Sequence, residues 1–228
     1  GEIAAFCDST NRWLPLLCTM NVTVATEMVR EHYNLSHGQF EKAAAKVSAG
    51  SDGLVLLPYL EGERTPNLPD GTGAWFGANT RTHQQGHFAR AAMEGVTMGM
   101  NYGLRRLATL GVKTKQIRAT GGGANSKLWR QIMADIFQTE VVTLAVVEGA
   151  AYGAALQAMW CTRKNAGEKL AISDLTDRFV KLNKRETAHP NAKNKALYHE
   201  LQEIQDSLSA SLREVFPNHR KWVTGNNV

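Results

Sequence analysis

The stretch that decides the fold begins Gln116-Ile117-Arg118-Ala119-Thr120-Gly121-Gly122-Gly123-Ala124-Asn125-Ser126 and runs on to Met159. Its first five residues read as a strand, the three glycines as a turn, and residues 126 to 137 as a helix. Leu128, Ile132 and Ile136 recur every fourth residue there, beside Trp129 and Met133, giving that helix a core face. A β-branched run, Val141 to Val147, follows as a second strand, and residues 150 to 160 as a second helix. Strand, turn, helix, strand, helix in this order predicts an α/β layer with parallel strands.

Upstream, residues 83 to 110 predict one long helix closed by Gly111. Gly95, Gly99 and Gly103 fall on one face of it. Because each glycine costs about 1 kcal/mol of helix stability relative to alanine, the stripe predicts close packing against another backbone, with a ligand as the alternative. Gly53-Leu54-Val55-Leu56-Leu57 reads as a buried strand. Residues 61 to 79, rich in Gly, Pro, Asp and Asn, read as a long functional loop. Residues 16 to 33 predict a helix with Leu17, Met20, Val24, Met28 and Val29 on its apolar face, and residues 39 to 47 a shorter one. The opening Gly1-Glu2-Ile3-Ala4-Ala5-Phe6 reads as the middle of a strand. Downstream of Ala166 the composition turns polar and basic. A last helix over residues 192 to 215 carries Leu197, Leu201, Ile204, Leu208, Leu212 and Val215, and the end from Phe216 reads as frayed. The expected division is a main domain over residues 1–165 and a helical extension of it over 166–228.

Composition narrows the classes. With 228 residues, 43% of them hydrophobic and 21% charged, the chain has material for a real core. A net charge of +5 is spread over short clusters such as Arg105-Arg106 and Lys184-Arg185, which read as solvated faces rather than a nucleic-acid surface. Three cysteines without a CxxC pair argue for reduced thiols and a cytoplasmic protein, not for a disulfide framework or zinc site. No apolar run reaches the roughly 18 residues of a membrane span.

Chemistry concentrates at the glycine turn. Consecutive glycines let a backbone reach positive φ and approach a bulky ligand. The following helix offers unpaired N–H groups and a positive dipole end, an anion site suited to nucleotide phosphates. Asn125 or Ser126 caps that helix. Taken alone, the turn fits a strand–helix connection that binds nothing equally well. A dinucleotide reading also stands, since Gly121-x-Gly123-x-x-Ser126 approaches the GxGxxG/A fingerprint and Glu148 sits where a ribose acid belongs. Against it, residues 115 to 120 are too polar for a central strand of that fold. His83 and His87 lie four apart without a third metal ligand and read as surface or capping residues. No acid stands in a recognisable general-base setting.

Several strings together resemble the FGGY family of carbohydrate kinases: Leu57 to Pro66, Gly73 to Ala78, His87 to Gly95, Gly121 to Ser126 with Trp129-Arg130-Gln131 and Ala134-Asp135, and Glu148 to Ala155. The resemblance covers residues 1 to 160. It implies an α/β, actin-like, ribonuclease-H-like fold, of which this chain is the C-terminal, nucleotide-binding half. It also implies ATP and Mg²⁺ as cofactors, a sugar as phosphoryl acceptor, a partnering N-terminal kinase domain, and a homodimer as a further form. Among the family's sugars xylulose fits best; ribulose, gluconate and glycerol remain open, as does a non-catalytic ADP-binding module. By the same resemblance Gly121, Gly122, Gly123, Asn125 and Ser126 contact the nucleotide, with Thr23 and Glu27 beside it. The loop over residues 61–66 and Glu94 shape the cleft. No catalytic residue and no protein metal ligand is expected in this chain, and the chain by itself is expected to be inactive.

Overall fold

The computed structural model describes residues 2–146 and 149–226. The chain opens with an antiparallel hairpin of β1 (Ile3–Cys7) and β2 (Trp13–Leu17). One carboxylate oxygen of Asp8 accepts the N–H groups of Thr10 and Arg12 at 2.8 and 2.9 Å, which fixes the connecting turn. Helices α1 (Val22–His32) and α2 (His37–Ala45) follow, the second opened by a Ser36–Gln39 capping box. Then come an antiparallel pair, β3 (Val55–Pro58) and β4 (Gly73–Phe76), and the long helix α3 (Gln85–Thr109).

The deciding stretch folds as its pattern predicts. Strand β5 (Ile117–Ala119) leads through the glycine turn into α4 (Lys127–Phe137), and β6 (Val141–Leu144) returns parallel to β5. Helices α5 (Gly149–Asn165) and α6 (Ile172–Phe179) precede β7 (Leu182–Ala188), which joins β6 antiparallel. Helices α7 (Lys195–Leu212) and α8 (Val215–Gly225) complete the described chain.

Helix α3 is the spine, packed by α1, α2, β3 and α4. A side chain at Gly95 would lie 2.7 Å from the Leu56 carbonyl oxygen, and one at Gly103 3.1 Å from the Leu17 side chain. Two of the three striped glycines therefore serve close packing. Gly99 has only Pro58 near it, at 3.8 Å. A buried polar clasp ties this spine to the C-terminal helices. Glu94 accepts from Arg90 Nε at 2.7 Å, Gly50 N at 3.0 Å and the Tyr198 hydroxyl at 2.8 Å. Gln205 donates to the carbonyls of Leu56 and Gly95, at 2.8 and 2.9 Å, where the close approach of α3 leaves them.

Several expectations are corrected. The helix expected from residue 16 starts at Val22, because residues 13–17 pair with β1. Its buried residues are Ala25, Thr26 and Val29, while Met20, Val24 and Met28 are exposed. Small residues face α3 because only they let the two helices come close. The loop over residues 61–79 is not structureless. It contains β4, and Glu63, Thr65 and Leu68 are buried in it. The stripe of α7 turned inward is Tyr198, Leu201, Gln202, Gln205 and Ser209, so Leu197 and Ile204 face solvent. The end expected to fray is a helix instead, with Phe216 buried beside Leu57, Tyr59 and Leu68.

Candidate nucleotide site

The site grows from the end of β5. Gly121 has φ +88°, a conformation other residues rarely adopt. Gly122 to Asn125 then form a single tight turn, closed by the Ala124 N–H donating to the Gly121 carbonyl at 3.1 Å. Three neighbours hold this turn rigid. Trp129 lies under Gly123, where a side chain would meet the indole ring at 2.9 Å, and the Trp129 Nε1–H donates to Thr97 at 3.0 Å. Arg130 Nη1 donates to the Ala124 carbonyl at 2.5 Å. Ser126 caps α4 by accepting the Trp129 N–H at 3.1 Å.

Gly122 is different. Its φ is not positive, and a side chain added there would meet no atom within 4 Å. Nothing in the chain's own packing requires glycine at that position. The space beside it belongs to a cleft of about 610 Å³ between the turn and helices α1 and α2. Thr23, Thr26 and Glu27 of α1 line the cleft, as do His37, Gly38, Phe40 and Glu41 of α2, and Gly122, Gly123, Asn125, Ser126 and Trp129 on the opposite wall. Six of the seven candidate residues from the sequence thus meet in one cavity. Gly121 faces a smaller depression of about 200 Å³, shared with Thr120, Thr143 and Val146.

The positive end of α4, which the sequence reading took as free, is partly occupied. Glu41 Oε1 accepts the Leu128 N–H at 3.0 Å, and Ser126 already holds that of Trp129. A phosphate at that helix end would have to displace a carboxylate of the chain itself. The N–H groups of Gly122 and Gly123, in contrast, have no partner among the described residues. Glu27 is paired with Arg30 at 2.7 Å and stands 3.6 Å from His37 Nδ1.

The neighbouring expectations divide. Glu63 takes the backbone N–H of Met20 at 2.9 Å and the Asn21 side chain at 3.2 Å, so the loop over residues 61–66 braces the start of α1. Glu94 is 2% exposed and lies inside the protein, away from this cleft. His87 is buried rather than on the surface, with Nε2 3.1 Å from Asp52. Glu148, on which the dinucleotide reading leans, lies outside the described residues. Among the described residues no group of three or more His, Cys, Asp or Glu could hold a metal ion. No helix among them is long and apolar enough to cross a membrane. Sequence reasoning missed Glu41, Phe40 and His37. The only local signal there is the capping box that starts α2, and Glu41 meets its partner 87 residues downstream.

A mixed sheet of parallel β5 and β6 with antiparallel β7, whose glycine turn faces a helical pair across such a cleft, matches the C-terminal half of an actin-like ATPase fold. The chain belongs to the FGGY family of carbohydrate kinases, whose C-terminal domain matches residues 4–162. The xylulose kinase of Haemophilus influenzae is 38% identical over 189 residues, covering 83% of this chain and 37% of that protein. A gluconokinase of Bacillus licheniformis is 42% identical over 178 residues, 72% of this chain and 34% of that protein. The crystal structure of ligand-bound xylulose kinase from Lactobacillus acidophilus superimposes with a TM-score of 0.83 at 26% identity. It covers 96% of this chain and 44% of that one. The chain therefore spans less than half the length of these relatives.

Proposed function

We propose that this chain is the ATP-binding half of a xylulose kinase, with residues 1–165 carrying the nucleotide cleft and residues 166–228 bracing it. The observation that carries the reading is Gly122, a glycine whose missing side chain opens onto the cleft and is not demanded by the fold. The nucleotide's adenosine lies against Gly122, Gly123, Asn125 and Ser126, with Thr23 and Glu27 across from it and Gly121 setting the turn. The unpartnered N–H groups of the turn are oriented donors for the nucleotide.

Mg²⁺ would be held by the nucleotide's phosphates and water rather than by side chains of this chain. It binds through few carboxylates and keeps several waters, and both carboxylates of the cleft, Glu27 and Glu41, are already engaged. When bound, the ion offsets phosphate charge during phosphoryl transfer to a primary hydroxyl of the sugar. The residues of this chain position the nucleotide and perform no proton transfer. The catalytic base and most sugar contacts belong to a partnering kinase half. It would cover apolar surface left exposed on this chain: Phe6, Leu14 and Leu16 on one side of the hairpin, Trp13 on the other, and Met20, Val24 and Met28 before and along α1. Gluconate is the second substrate reading, on the strength of the gluconokinase relative.

Calorimetric titration with MgADP tests the site. Saturable binding that is lost in Gly122→Val, with the melting temperature unchanged, is the expected result. Equal binding by the variant would refute the placement.

A further inference from the structure

Glu41 stands where two unlike surfaces meet. It lines the nucleotide cleft, whose walls carry Glu27 and His37 but, among the described residues, no lysine or arginine. It also lines an adjoining groove of about 890 Å³ between α2, the start of α4 and β7. There Lys42, Lys127, Arg130 and Arg185 stand against only Glu41 and Glu186. Gly38 and Asn125 border both spaces, so the two meet at this carboxylate.

Helix α4 opens on Lys127 and has no acid in its own first turn. Its start would therefore attract an anion through unpaired N–H groups and the helix dipole. Glu41 reaches across from α2 instead, and its Oε1 accepts the Leu128 N–H at 3.0 Å. The other oxygen, Oε2, has no hydrogen-bond partner among the described residues. A carboxylate only accepts hydrogen bonds. Oε2 can thus take a hydroxyl or an amine of a ligand, while it repels a phosphate oxygen. Without Glu41, the α4 start and the cations of the groove would draw a nucleotide's phosphates to one and the same place.

We propose that Glu41 determines which way round the nucleotide lies, with the nucleoside against the start of α4 and the phosphates turned away from it. The inference rests on the nucleotide reading of the cleft given above. Four cations and a helix start, beside a cleft that holds no cation of its own, would otherwise favour the inverted pose. Discrimination between two poses comes from penalising the wrong one as well as rewarding the right one. A carboxylate at the divide supplies that penalty.

The test is calorimetric titration of the chain, of Glu41→Gln and of Glu41→Ala with adenosine and with ADP. Both ligands are used without metal, so that the phosphates are bare, and at constant ionic strength. Glutamine keeps an oxygen for the Leu128 N–H and loses the charge; alanine loses both. In the unaltered chain ADP is expected to bind less than about tenfold tighter than adenosine. That advantage should grow by roughly threefold in Glu41→Gln and roughly tenfold in Glu41→Ala, the size of effect a charge at a helix start produces. A Glu41 that only braced the fold would weaken both ligands together and leave their ratio alone. An unchanged or falling ratio in both variants would overturn the proposal, as would ADP binding tenfold or more tighter than adenosine in the unaltered chain. Binding of neither ligand to the unaltered chain would overturn the nucleotide reading itself, and this inference with it.

Discussion

Replacing Glu94 by glutamine isolates the charge in the polar clasp at the centre of the fold. The Arg90 and Glu94 side chains are 9% and 2% exposed and meet at 2.7 Å. Glutamine keeps a carbonyl that can accept from Gly50 N–H and the Tyr198 hydroxyl, but it leaves the Arg90 guanidinium buried without a counter-charge. An uncompensated buried charge costs about 3–5 kcal/mol, a large part of the roughly 5–15 kcal/mol that holds a domain folded. For a chain of this size that lowers the melting temperature by roughly 10 °C. Arg90→Met leaves the opposite charge buried and should cost a similar amount. The double variant Arg90→Met/Glu94→Gln buries no charge, so its loss should be smaller than the sum of the two single losses. Urea unfolding of all four proteins gives the coupling directly. A Glu94→Gln loss below about 1 kcal/mol, or strict additivity in the double variant, would refute the reasoning, since contacting charges must couple.

Four further outcomes are expected. Gly95→Ala should destabilise by about 1–3 kcal/mol because its side chain runs into the Leu56 carbonyl. Gly99→Ala, with free space, should stabilise by about 0.5–1 kcal/mol, and thermal melts of the pair decide both. Burial pushes the Tyr59 phenol from its ordinary 10.0 up to about 12. The folded state then holds that proton more tightly than the unfolded chain. The corresponding stability is present in full below pH 10.0 and is lost as pH rises through about 12, which phenolate absorbance and unfolding curves can follow together. A coupled assay of the purified chain with ATP and xylulose should give no turnover above background; robust phosphorylation would contradict the assignment of the catalytic base to a partnering half.

The parts of the fold legible in the sequence are those where a local pattern and the packing agree. The run through residues 116–144 carries its strands, turn and helix in its own periodicity, and α3 is marked by its length and the glycine after it. The apolar faces of α1 and α7 misled for a common reason. Periodicity reports hydrophobic residues, while α3 required small ones at Ala25 and Thr26 and hydrogen-bonding ones at Tyr198 and Gln205. Strand β7 and helix α6 left little trace, because β7 is a polar edge strand in which only Ala188 is fully buried. Hairpin strand β2 was hidden by Leu14, Leu16 and Leu17 running toward a helix pattern; the Asp8 turn that sets its register acts through side-chain acceptors. At the candidate site, Thr23 and Glu27 entered only through the family resemblance, while the glycine turn was legible from its own pattern. Glu41 was not, since its contact with Leu128 exists only once α2 and α4 have docked.

The most direct test of the account is a crystal structure of this chain with MgADP. The account predicts adenosine in the cleft between α1 and the glycine turn, within contact of Gly122 and Ser126, with Glu41 still bound to the start of α4. Adenosine elsewhere, or phosphates seated on the α4 end with Glu41 expelled, would contradict it.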